Sequence, residues 1–183
     1  EEAIASYRKA LALKPDYAKA HYNIGVSLQY LDKLDDALVS YRKAVALKSD
    51  YAEAHSNLGL VLQDLGKPEE AAASCRKAIS LKPDLVDAHN NLGIVLQDLG
   101  KLEEAVVSYH KAIDIKPNLD GAWNNLKFIA KALQFSEAQK GRKGNIYQKG
   151  LSEPARATAD FAMLEYYLDK FKPHKSEQRV KKA

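Results

Sequence analysis

The sequence predicts an all-α protein, a solenoid of stacked antiparallel helix pairs. Three observations predict it. Residues 52–85 carry two apolar stripes at helical spacing, separated by a glycine and a proline. The same pattern recurs at a period of 34 residues, in 18–51 and again in 86–119. In every copy the positions that must face across the pair are small: Gly25, Gly59 and Gly93, then Ala37, Ala71 and Ala105, then Ala44, Ala78 and Ala112.

The central copy justifies each element. Ala54, Leu58, Val61, Leu62 and Leu65 make one apolar face. Gly66 can close that helix in the left-handed conformation, and Pro68 with Glu69 and Glu70 suits the start of the next. Ala71, Ala72, Cys75, Ala78, Ile79 and Leu81 repeat the apolar face, and Pro83 ends it. Asp84 is expected to cap the following helix, with Asp87 completing a partial capping box. A pair this short cannot bury its own apolar face, so it requires neighbours on both sides.

Taken in order, residues 1–17 match only the second helix of a unit, so the chain reads as a fragment whose Ile4, Tyr7 and Leu11 are left partly uncovered. Such an open end favours self-association between copies. The full units 18–51, 52–85 and 86–119 follow. The first has Asp32 where the others have glycine, and Ser49 where they have proline; aspartate tolerates the left-handed conformation. Residues 120–136 supply the first helix of a divergent fourth unit, with Lys127 in the glycine column. In 137–183 the reading is a basic loop, an amphipathic helix over 153–171 that caps the solenoid or folds back into its groove, and a charged tail.

The order of residues His55, Leu58, Gly59, Leu62, Ala71, Cys75, Ala78 and Pro83, repeated in the neighbouring copies, resembles the tetratricopeptide repeat (TPR) family. The stretch HNNLGIVLQDLGKLEEAVVSYHKAI is similar to the repeats of O-GlcNAc transferase and of bacterial transferases with such arrays. The resemblance implies a right-handed superhelix whose first helices face a concave groove. It also implies use as a protein-interaction scaffold rather than an enzyme, with no cofactor. The alternative it leaves open is the substrate-recruiting region of a larger glycosyl-, sulfo- or methyltransferase whose catalytic domain lies elsewhere.

Asn23, Asn57, Asn91 and Asn125 stand one repeat apart, so they form a column along the solenoid. An amide offers donors and an acceptor to the backbone of an extended peptide. The resemblance to O-GlcNAc transferase implies that use; bridging between neighbouring helices is the structural alternative. Flanking columns would shape the groove: Tyr22 and Asn90 beside the ladder, Val26, Leu60, Ile94 and Phe128 as the apolar row, and Gln29, Gln63 and Gln97 with Asp64 and Asp98 as the polar row. Chaperone-binding members of the family grip a terminal carboxylate with basic residues. The matching positions here are Tyr22, Val26, Ser56 and Leu60, which disfavours such a ligand.

His21, His55 and His89 share the aromatic packing column with Trp123, and sit too far apart to share one metal ion. Cys75 fills the column of Tyr7, Tyr41 and Tyr109, as a buried small hydrophobe rather than a nucleophile. Arg8, Arg42 and Arg76, each followed by lysine, make a basic stripe that reads as a solvated face. With the basic residues of 140–149 it could instead attract nucleic acid, which the nearby acids disfavour.

The net charge of +4 is uneven: residues 1–119 carry 15 basic against 17 acidic side chains, and 120–183 carry 13 against 7. A single cysteine excludes a disulfide framework. With no apolar run long enough to span a membrane and no signal peptide in view, the sequence points to a cytoplasmic protein.

Overall fold

Each helix of the predicted pairs forms, because each carries an apolar stripe that only pairing and stacking can bury. The computed structural model of the chain describes residues 2–129. It contains α1 (Glu2–Leu13), α2 (Ala18–Tyr30), α3 (Leu34–Leu47), α4 (Ala52–Asp64), α5 (Pro68–Leu81), α6 (Val86–Asp98) and α7 (Leu102–Ile115), and no strand among the described residues. The fold is an all-α solenoid of helix pairs: α2 packs on α3, α4 on α5 and α6 on α7, with each second helix also packing on the next first helix. The described residues 118–129 belong to a second unit. Within it residues 120–129 are helical (α8), and Ala122, Leu126 and Ile129 are buried. The capping helix, basic loop and tail expected over 137–183 lie outside the described residues, as do residues 130–136.

Pairing depends on the absence of a side chain at one column. A Cβ added to Gly25 would lie 2.7 Å from the Tyr41 ring, and one on Gly93 would lie 2.6 Å from the Tyr109 ring. A Cβ on Gly59 would collide with Cys75 Sγ and approach the Ala71 carbonyl to 3.1 Å. Tyr41, Cys75 and Tyr109 are fully buried, as are the six alanines of the facing columns. Between pairs, Ala52, Ala78, Leu85 and Ala88 form a small core joined by Ile79 and Leu81.

The turns between paired helices use the left-handed conformation at Gly66 (φ 71°), Gly100 (φ 70°) and Asp32 (φ 56°). Pro68 stands in the first turn of α5. One expectation is corrected. Asp84 does not cap α6; the capping position is Leu85, and its side chain makes no capping bond. Leu85 is needed in the core between pairs, so the chain starts the helix there and closes it through backbone bonds such as Ala88 N–H to the Leu85 carbonyl, 3.1 Å. A second correction concerns α1, where Ile4 is buried rather than left open; Tyr7 and Leu11 are half-buried.

The first helices touch in succession, α2 with α4 and α4 with α6, whereas no second helix meets the next to that extent. Unit one therefore curves with α2, α4 and α6 on its inner side. No helix among the described residues is long and apolar enough to cross a membrane.

Replacing Gly93 by alanine should lower stability by about 1–3 kcal/mol, because the rigid buried Tyr109 ring cannot yield. That cost outweighs the gain of about 1 kcal/mol that alanine brings to a helix interior. Urea unfolding followed by circular dichroism measures the sign.

Candidate functional site

The inner face is built by α2, α4 and α6, and it carries the sequence-predicted columns of the first unit. Its apolar row is open: Val26 is 40% exposed, and Leu60 and Ile94 are half-buried. Asp64 and Asp98 are exposed, while Gln29, Gln63 and Gln97 are half-buried. Asn125 (half-buried) and Phe128 (63% exposed) lie on α8, in the second unit, which is described by itself.

The asparagines are bonded to the repeat before them. Asn57 Nδ2 donates to the hydroxyls of Tyr22 (3.2 Å) and Tyr41 (3.4 Å). Asn91 Nδ2 donates to Ser56 Oγ (3.2 Å) and to the Ser56 carbonyl (3.4 Å). A carbonyl only accepts, so this contact fixes which end of the Asn91 amide is the NH2 group. Asn57 and Asn91 thus each reach back 35 residues, to Tyr22 and Ser56 of one column, which Asn90 continues. Ser56 and Asn91 are buried. Asn23 is half-buried. In the same column, Asn90 Oδ1 is buried and accepts no bond among the described residues.

The glutamine row is held by the buried tyrosines. The Tyr41 hydroxyl donates to Gln29 Oε1 at 3.0 Å, and the Tyr109 hydroxyl to Gln97 Oε1 at 3.4 Å. Cys75 replaces the tyrosine in the central pair and has no hydroxyl to offer. Gln63 turns instead to Asp98, with Nε2 donating to Oδ2 at 2.6 Å. Burial raises the Tyr41 phenol well above its ordinary pKa, so it stays a neutral donor.

Asp64 has its carboxyl pKa raised, first by partial desolvation and then by the charges of Asp32 and Asp98. These acids come from three repeats. Asp32 was not among the sequence-predicted site residues, because its column otherwise holds turn glycines. Tyr41 and Tyr51 were also missed. Tyr51 stacks on Tyr22 with ring centroids 4.9 Å apart, and Tyr41 lies 5.9 Å from Tyr22. Their signal was the aromatic content of the packing columns, which gives burial but not hydroxyl direction.

The histidine column has a structural use. The Nε2 atoms of His21, His55 and His89 lie 3.1, 3.0 and 2.8 Å from the backbone oxygens of Pro15, Ser49 and Pro83. Each oxygen can only accept, so each Nε2 carries a proton and ties its helix to the preceding loop. Cys75 is buried, and desolvation pushes its thiol up to about 12, the state of an inert thiol. On the outer side, Arg42 pairs with Glu70 at 3.0 Å and Arg76 with Glu104 at 3.5 Å.

Comparison with known proteins agrees with the repeat. The family model "TPR repeat" matches residues 1–32 and 29–66, and "Tetratricopeptide repeat" matches 52–85 and 86–119. No curated protein matches the chain. Among solved structures, MamA is 24% identical, with TM-score 0.66, over 91% of this chain and 87% of that one; this likeness concerns the fold. The first TPR domain of human RPAP3 is 27% identical, with TM-score 0.64, over 68% of this chain and 98% of that one. The first TPR of Spaghetti (RPAP3), bound to the HSP90 peptide SRMEEVD, is 26% identical, with TM-score 0.62, over 64% of this chain and 93% of that one.

Two outcomes follow from the geometry. Asn91→Ala removes the donor from two buried Ser56 acceptors and should cost about 1–3 kcal/mol in urea unfolding. Asp64→Asn should stabilise the chain near neutral pH by about 0.5 kcal/mol, since the site is open to solvent. A carboxyl whose folded pKa is raised binds its proton more tightly in the folded state. Its contribution is therefore full below the unfolded carboxylate pKa and is lost as pH rises through the raised value. The advantage of Asp64→Asn should accordingly vanish in melts below about pH 4.

Proposed function

This chain belongs to the tetratricopeptide repeat family, and we propose that it is a protein-interaction scaffold that holds an extended segment along α2, α4 and α6. The observation that carries the reading is the fixed orientation of the ladder. With the NH2 groups of Asn57 and Asn91 committed to the preceding repeat, their Oδ1 atoms are left to accept peptide N–H groups. The amides need no reordering on binding, which lowers its entropic cost. Val26, Leu60 and Ile94 offer shallow apolar contacts beside them.

The solved relative bound to SRMEEVD supports use of this fold for peptide capture. The inner face here suits a different sequence, since Asp64 and Asp98 oppose acidic side chains and favour neutral or basic ones. Binding requires no chemistry, and the scaffold acts by presenting preordered groups.

The double variant Asn57→Ala, Asn91→Ala should weaken binding of extended peptides selected on an array by roughly 5- to 100-fold, the equivalent of two lost hydrogen bonds. Gly93→Ala serves as the control, being destabilised without loss of a ladder atom. If the double variant binds as the control does, the ladder is purely a brace between helices.

A further inference from the structure

The outer side of the solenoid holds a second candidate site, where one repeat departs from the others. Successive second helices are splayed, and in two of the grooves between them an ion pair spans the gap. Arg42 reaches Glu70 and Arg76 reaches Glu104, in both cases 28 residues on. The same offset from Arg8 falls on Asp36. Aspartate is one methylene shorter, about 1.5 Å less reach, and among the described residues Arg8 makes no ion pair. The groove there stays open, with a volume of about 610 Å³. Its floor is apolar, with Ile4, Ala5 and Ala12 from α1 and Leu28 from the end of α2; Arg8, Lys9, Lys33 and Asp36 stand around it.

We propose that this groove between α1 and α3 docks a partner protein through a glutamate side chain, seated on Arg8 where the neighbouring repeats seat their own glutamate. Three arguments fix the class of occupant. The repeat itself shows what an arginine in this column binds, a glutamate carboxylate on a neighbouring helix. Arg8 and Lys9 outnumber the single Asp36 carboxylate at the rim, which gives the groove a charge complementary to an acidic group. The apolar floor suits the short aliphatic flanks of a peptide, and the Asp36 carboxylate opposes the denser charge of a phosphate or a nucleic-acid strand. The site is separate from the inner face, so it does not depend on the ladder.

Two capped tripeptides test it, acetyl-Leu-Glu-Leu-amide and its glutamine counterpart, titrated into the 15N-labelled chain and followed by NMR. The glutamate peptide should produce saturable shifts at α1 and the start of α3, weakening as salt is raised. The glutamine peptide should bind at least fivefold more weakly, and Arg8→Gln should lose affinity for the glutamate peptide to the same degree. Asp36→Glu is the decisive variant. It should bridge Arg8 internally, keep or raise the melting temperature, and cut affinity at least fivefold. Asn57→Ala, Asn91→Ala should bind at this groove as the unaltered chain does. No saturable shift at α1, equal binding of the two peptides, or full affinity in folded Asp36→Glu would each overturn the proposal.

Discussion

The structure depends on the approach of paired helices at one column, where Gly25, Gly59 and Gly93 leave room for the side chain opposite. In two pairs that side chain is tyrosine, whose ring lies flat in the space a Cβ would take. Close approach buries the facing alanines completely, and those alanines are too small to add much apolar area singly. Stability is therefore shared among many small contacts within and between pairs, as a solenoid without a single core requires. The glycine costs helix propensity, and the packing of a whole ring offsets it.

The same contact arranges the inner face. A tyrosine ring crossing under the glycine brings its hydroxyl to the edge of the first helix, where it holds Gln29 or Gln97. Tyr41 also accepts from Asn57, so the bond that fixes one repeat's glutamine helps to orient the next repeat's ladder residue. The central pair lacks this link because Cys75 ends at its sulfur. Two changes accompany the loss: Gln63 bonds Asp98 across repeats, and Asn91 bonds Ser56 instead of a phenol. Two substitutions, Cys75 in the Tyr41 column and Ser56 in the Tyr22 column, thus alter which polar atoms face the groove one repeat later.

Much of this was legible in the sequence because period and residue size carry it. The helices, their pairing and the left-handed turn at Asp32 follow from the 34-residue recurrence and from the columns of glycine and alanine. Hydrogen-bond direction was not legible. Asn57 and Asn91 could be aligned in one column, and the family resemblance implied the inner side, but their reach back to Tyr22 and Ser56 depends on the stagger between successive first helices, which no single repeat encodes. Asp84 misled for a related reason. It has a capping side chain, yet the position that starts the helix is fixed by Leu85 entering the core between pairs. Asp32 escaped notice as a charge because its backbone conformation explained its presence.

Curvature then decides which side chains can connect repeats. On the inner side first helices touch, so short groups such as asparagine and serine bridge them directly. On the outer side the second helices diverge, and only the longest pair of complementary side chains, arginine with glutamate, spans the distance. These exposed pairs add little stability on their own, but they bridge two of the outer grooves. A difference of one methylene in reach decides whether such a pair can form. Asp36 in place of that glutamate leaves the groove beside Arg8 without the bridge that Glu70 and Glu104 supply in the others. A solenoid of near-identical repeats acquires distinct surfaces in this way, through single positions where reach falls short.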